Sequence, residues 1–245
     1  MITVKNLVKR YGSLCAVDNI SFHIDNCSAV GLLGPNGAGK STVMNILTGN
    51  LRLDAGDATV GGYSLLSLPG EAKKLTGYLP ELPPLYPELT VGEYLHYVCG
   101  LKGISKEKKK SEADRVMERL HIEDMANRLI RNLSKGYRQR LGISQALIGD
   151  PPVVILDEPS IGLDPRQIIE VREIIRSLKG SHTVLFSTHI LAEVSALCDR
   201  VIILDHGRVA ADNDLASPSA DGHDLEAMFL RATGGGVQQF GAKEG

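Results

Sequence analysis

Three short stretches carry residue types and spacings suited to phosphate chemistry. The first is "GPNGAGKST", Gly34 to Thr42, a glycine, four residues, then Gly-Lys-Ser. That is the phosphate-loop pattern. Gly37 and Gly39 allow a backbone that turns consecutive amides toward an anion, and a helix start behind them adds positive potential. Lys40 would reach the β- and γ-phosphates, and Ser41 would ligate Mg²⁺. The second is "VVILDEP", which ends in Asp157 and Glu158. Asp157 would hold Mg²⁺ through water, and Glu158 would orient and deprotonate an attacking water. The third is "TVLFSTH", ending in His189, a residue able to contact the γ-phosphate.

These groups work together only if the chain delivers them to one place. Each follows a short apolar run, as expected of strands buried on both faces. In an open parallel sheet, ligands bind beyond the carboxyl ends of the strands. All three would therefore reach the same edge. The rest of the pattern agrees. "TVKNLVKRYG" and "AVDNISFHID" read as N-terminal strands, "DATVGGYSL" as another, and "LTGYLP" as a short one stopped by Pro80. From Thr90 to Gly149 the pattern turns helical, an inserted lobe. A helix from Arg166 to Leu178, the helix "ILAEVSALC" and the strand "RVIILDHG" restore the alternation. The expected class is α/β, a phosphate-loop NTPase core with a mainly parallel sheet, N-terminal antiparallel strands and an inserted helical lobe. The expected division is an ATPase domain over 1–215, with its helical lobe at about 90–150, and a short extension over 216–245. In that extension "SPSADGHD" reads as a linker, "LEAMFLRAT" as a short helix and "GGGVQQFGAKEG" as a poorly ordered tail.

Composition narrows the function classes. The 245 residues are 43% hydrophobic, enough for a full core, and the formal net charge of -2 gives no electrostatic case for nucleic acid. Aromatics make up 4% and Trp is absent, so no base-stacking platform is expected. Cys15, Cys27, Cys99 and Cys198 are scattered without metal-ligand spacing and read as small buried hydrophobes. The N-terminus lacks the apolar region of a signal peptide, and no run approaches the roughly 18 apolar residues of a membrane span. Work at a membrane would need another chain to supply the spans.

In their order, these motifs resemble the ATP-binding subunit of an ABC transporter, over about Thr3 to Gly207. Tyr11 in "KRYG" matches the aromatic that stacks on adenine. "LSKGYRQR" matches the family signature, "IGLDP" the loop that couples two sites across a dimer, and "STHI" the switch histidine. The resemblance implies that Gly34, Pro35, Asn36, Gly37, Ala38, Gly39, Lys40, Ser41 and Thr42 hold ATP, and that Ser41, Asp157 and Glu81 face Mg²⁺. Glu158, His189 and Lys40 are its implied catalytic residues. Ser134, Gly136 and Asp164 would meet the ATP of a second subunit, because the phosphate loop already supplies the cis contacts. Two positions depart from the family pattern. Lys135 and Tyr137 replace a glycine and the glutamine of the signature, and Glu81 stands where glutamine is usual.

Both departures, with "LPELPPLYPELTVGEYL", look like an exporter branch whose membrane permease is encoded separately. The implied place is the cytoplasm, peripheral on the inner face of the cell membrane. The implied partners are that permease and a second ATPase subunit, identical or similar. Leu82, Leu85 and Tyr86 would line a groove for a permease helix. The competing readings are a soluble ABC-type ATPase, a kinase or GTPase, and a non-enzymatic binding module. A guanine-reading Asn-Lys-x-Asp motif is absent, and Lys40, Asp157 and Glu158 are all present.

Overall fold

The computed structural model describes residues 1–215 and 225–234. Two sheets organise the chain. Strands β1 (Ile2–Tyr11), β2 (Leu14–Ile24), β4 (Ala55–Val60) and β5 (Tyr63–Ser64) form an antiparallel sheet in the order β2-β1-β4-β5. The second sheet has six strands in the order β10-β9-β3-β8-β7-β6. Its members are β3 (Ala29–Leu33), β6 (Thr76–Leu79), β7 (Val153–Asp157), β8 (Thr183–Thr188), β9 (Arg200–Asp205) and β10 (Arg208–Asp214). All neighbours run parallel except β10, which returns antiparallel along β9.

The apolar runs of the sequence become the centre of this sheet. Every residue of β3, β7 and β8 is buried. Alternation along β7 serves two cores at once. Val153 and Ile155 join a core with Val43 and Met44 of α1 (Lys40–Leu47) and the inner face of the antiparallel sheet. Val154 and Leu156 join a second core on the other face, with α3 (Val91–Leu101), α4 (Lys109–Arg119), α5 (Lys135–Leu147) and α6 (Pro165–Leu178). A third, smaller core lies between β9, α7 (Leu191–Leu197) and α8 (Leu225–Ala232), around Leu33, Val194, Ile203 and Leu225.

The structure departs from the sequence reading at several points. "DATVGGYSL" is a hairpin, not one strand. Gly61 and Gly62 have φ of 59° and 83°, the left-handed pair that a two-residue turn needs. The helix α2 (Pro69–Lys74), only six residues long and opened by a proline, was not expected. Nor was β10, which begins just after the expected strand "RVIILDHG" ends at Gly207. Cys27 is exposed rather than buried. Of the expected extension, the "LEAMFLRAT" helix is α8, while the linker and nearly all of the tail lie outside the described residues.

Candidate functional site

The phosphate loop runs from the end of β3 into α1. Gly39 caps that helix with a φ of 104°, and a Cβ there would stand 2.5 Å from the Ala16 carbonyl oxygen. Backbone conformation and close approach both require glycine. Asn36, Gly37, Gly39, Lys40, Ser41 and Thr42 line a cleft of about 480 Å³. Tyr11, Glu81, Glu158 and His189 complete its wall. Gly34, Pro35 and Ala38 do not line it. They support it from behind, where the Gly34 and Pro35 carbonyls accept hydrogen bonds from the Lys40 ammonium at 2.8 and 3.2 Å.

Lys40 is only 6% exposed, and its ammonium also lies 3.6 Å from Glu158 Oε1. To meet a phosphate it must exchange those carbonyls for phosphate oxygens. The other Glu158 oxygen, Oε2, is 2.9 Å from His189 Nδ1. Glu158 itself has a φ of 47°, rare for a residue with a side chain. The chain turns sharply there as it leaves β7.

Ser187 was missed by sequence reasoning. Its hydroxyl donates to Asp157 Oδ1 at 2.5 Å and accepts the Glu158 amide at 2.9 Å. One hydroxyl thus fixes both acids. Ser41 also donates to Asp157 Oδ1, at 3.3 Å. A hydroxyl and a carboxylate side by side are hard oxygen donors, the set that Mg²⁺ takes when phosphates and waters fill its remaining positions. The donor set therefore fits Mg²⁺. Glu81, exposed on the cleft wall, is a further oxygen donor there.

The signature residues lie apart from this cleft. Ser134 caps α5, its Oγ accepting from the Tyr137 amide at 3.4 Å. Asp164 caps α6, its Oδ1 accepting from the Gln167 amide at 3.0 Å. Gly136 sits against Gln167, where a Cβ would come within 2.7 Å of the side chain. The two helix starts therefore share one surface. Lys135 lies over Gly162 on the same surface. A second residue unmarked by the sequence, buried Gln139, donates to the Pro159 carbonyl at 2.7 Å. It ties the signature helix to the loop immediately after Glu158.

A family model described as ABC transporter matches residues 17–161, more than half of the chain, across the phosphate loop, signature and Asp-Glu strand. The chain belongs to the ABC transporter ATP-binding family. It is an ATPase of that family, and its α/β fold is that of ABC ATPase subunits. It is 36% identical to the ABC transporter ATP-binding protein NatA of Bacillus subtilis over 94% of this chain and 97% of that one. It is also 36% identical to the linearmycin resistance ATP-binding protein LnrL of the same organism, over 86% of this chain and 68% of that one. A dimeric ATP-binding cassette solved in a post-hydrolysis state with ADP and Pi superposes with a TM-score of 0.79. That similarity covers 88% of this chain and 99% of the cassette, at 26% identity.

Proposed function

We propose that this chain is the ATP-binding subunit of an exporter, hydrolysing MgATP in a head-to-tail dimer to drive a separately encoded permease. Residues 1–215 act as the ATPase domain in this reading, with 216–245 an extension. One observation carries it. Lys40, Glu158 and His189 share a cleft with Tyr11, while Ser134, Gly136 and Asp164 share a different surface. A second copy, turned end for end, brings that surface over the cleft.

The roles follow from the geometry. Tyr11 stacks on adenine, and the amides of residues 36–42 hold the phosphates. Mg²⁺, held by Ser41 and Asp157 with Glu81 nearby, would neutralise phosphate charge as it develops. Glu158 takes a proton from the attacking water. His189 Nδ1 holds the Glu158 carboxylate in place and stands beside the γ-phosphate. Ser134, Gly136 and Asp164 contact the partner's ATP. Export is favoured by the signature and Glu81 departures and by the resistance protein among the relatives. A separate permease is favoured by the likeness of the signature, Glu81 and "LPELPPLYPELTVGEYL" to the exporter branch in which the two are encoded apart. No helix among the described residues is long and apolar enough to cross a membrane.

Glu158→Gln tests the reading. It should retain ATP and lower turnover by about 10²–10⁴, the usual worth of a positioned base. It should also dimerise on adding ATP, as followed by light scattering, and Ser134→Arg in the same background should prevent this. Lys40→Ala should instead weaken nucleotide binding. Parent-like turnover by Glu158→Gln, or a monomer at saturating ATP, would overturn the proposal.

A further inference from the structure

Among the described residues, Glu193 is the most deeply buried carboxylate outside the cleft, at 1% exposure. Its Oε1 has no hydrogen-bond partner among the described residues. A buried acid with one oxygen unsatisfied is costly, and such groups persist where they hold something in place. Glu193 holds the end of β8. Its Oε2 accepts from the Thr188 hydroxyl at 2.7 Å. The same hydroxyl accepts the Ile190 amide at 3.0 Å. An amide can only donate, so the hydroxyl proton is committed to Glu193. The two bonds close around His189, the residue between Thr188 and Ile190.

Alternation along β8 explains the layout. Ser187 and His189 fall on one side of the strand end, Thr188 on the other. On the first side, Ser187 holds Asp157 and the Glu158 amide, and His189 holds the Glu158 carboxylate. On the second side, Thr188 is held by Glu193 from α7. That helix is fixed in turn by Val194, buried in the third core against which Met228 and Phe229 of α8 pack, and by Leu197, buried in the second core.

We infer that Glu193 is a positioning residue for hydrolysis. Through the Thr188 hydroxyl and the Ile190 amide it fixes the backbone on which His189 meets Glu158. The inference rests on the proposed role of His189 in turnover. His189 is 44% exposed at its side chain, so packing alone does not fix it. Its geometry depends on the backbone that Thr188 and Ile190 define.

The test compares steady-state ATP turnover and binding of a fluorescent ATP analogue in the purified full chain. Glu193→Ala and Thr188→Val should each lower kcat about 10-fold or more, the scale for a group that orients a reacting one. Nucleotide affinity should change less than about twofold. Glu193→Gln and Thr188→Ser, which keep the hydrogen bond, should retain most of the activity. In His189→Ala the further change Glu193→Ala should cost less than about twofold, because residues acting as one unit are not additive. If Glu193→Ala destabilises the fold, Thr188→Val and its serine counterpart carry the comparison. A drop in His189→Ala alone, with Glu193→Ala and Thr188→Val near the parent, overturns the positioning role and leaves the proposed function intact. Multiplicative losses in the double variant also overturn it. An unaffected His189→Ala overturns both.

Discussion

Ser187 shows what the sequence conceals at the scale of single residues. Asp157, Glu158 and His189 were legible because they end apolar runs and Lys40 because its Gly-rich loop follows one, so strand order alone sends them to one edge. Ser187 sits inside such a run, in "TVLFSTH", and reads as one more small residue of a buried strand. The available signal was its spacing of two from His189, which puts both on one side of β8. Removing the hydroxyl leaves the Glu158 amide, buried with its residue, without an acceptor and frees one side of Asp157. Ser187→Ala should lower turnover about 10–100-fold, as expected for a group that orients ligands and base. Ser187→Thr keeps the oxygen and should lose less. Equal turnover in Ser187→Ala and the parent would remove the hydroxyl from the site. Gln139 was hidden for a related reason. A polar residue on a basic helix looks solvated, and only the fold puts its amide on the Pro159 carbonyl.

Among the elements, those with an unbroken apolar run or a clear helical spacing were readable, and α2, β5 and β10, which have neither, were not. Helices α3, α4 and α5 declare themselves by apolar spacing and by caps such as the Thr90–Glu93 capping box. β5 and β10 depend on positive φ at Gly61, Gly62, His206 and Gly207, which sequence marks only weakly when histidine takes one such place. Leu85, expected to offer apolar contact to a partner, is half-buried and packs against the helical core. How α4 is fastened to the end of α5 within the helical lobe was not legible at all. Glu112 of α4 accepts from Arg115 at 2.7 and 2.9 Å and from the Gly149 amide at 2.6 Å. Arg115 also donates to the Leu147 carbonyl at the end of α5. Burial pushes the Glu112 carboxyl up, but the bonds from Arg115 and Gly149 outweigh it and leave the group below its usual value. The sign follows. A carboxyl lowered in the folded state contributes stability above its unfolded pKa of about 4.3, lost as pH falls through the folded value. Glu112→Gln should therefore lower the melting temperature at neutral pH by an amount that shrinks below about pH 4. Thermal melts of both proteins from pH 7 to 3.5 measure this, and a constant difference across that range would refute it.

At the scale of the whole molecule, the proposed partnership needs a surface that ATP can move. The segment after β6 has the right position. Glu81 lines the cleft proposed to hold the nucleotide, and the next residue, Leu82, is 83% exposed. Beyond it Tyr86, 43% exposed, makes edge contacts with Tyr94 and Tyr97 of α3, ring centroids 6.0 and 5.7 Å apart. Tyr97 and Leu101 continue the exposed apolar surface along α3. Beneath, the Tyr94 hydroxyl donates to Gln145 of α5 at 3.3 Å, and the Gln145 amide donates to the Tyr78 carbonyl of β6 at 3.0 Å. The surface is thus joined both to the signature helix and to the strand that leads to Glu81. A helix seated in an apolar groove is an ordinary recognition mode, and this one would feel changes at either nucleotide contact. Its anchors should be the exposed residues, not Leu85. Leu82→Asp with Tyr86→Asp should weaken capture of the permease while ATP binding by the isolated subunit persists. Leu85→Asp should instead lower the melting temperature, because it places a charge against the helical core. Pull-down from membranes and nucleotide binding, run on the same variants, separate the two effects. Undiminished capture and transport with both charges in place would put the permease contact on another face.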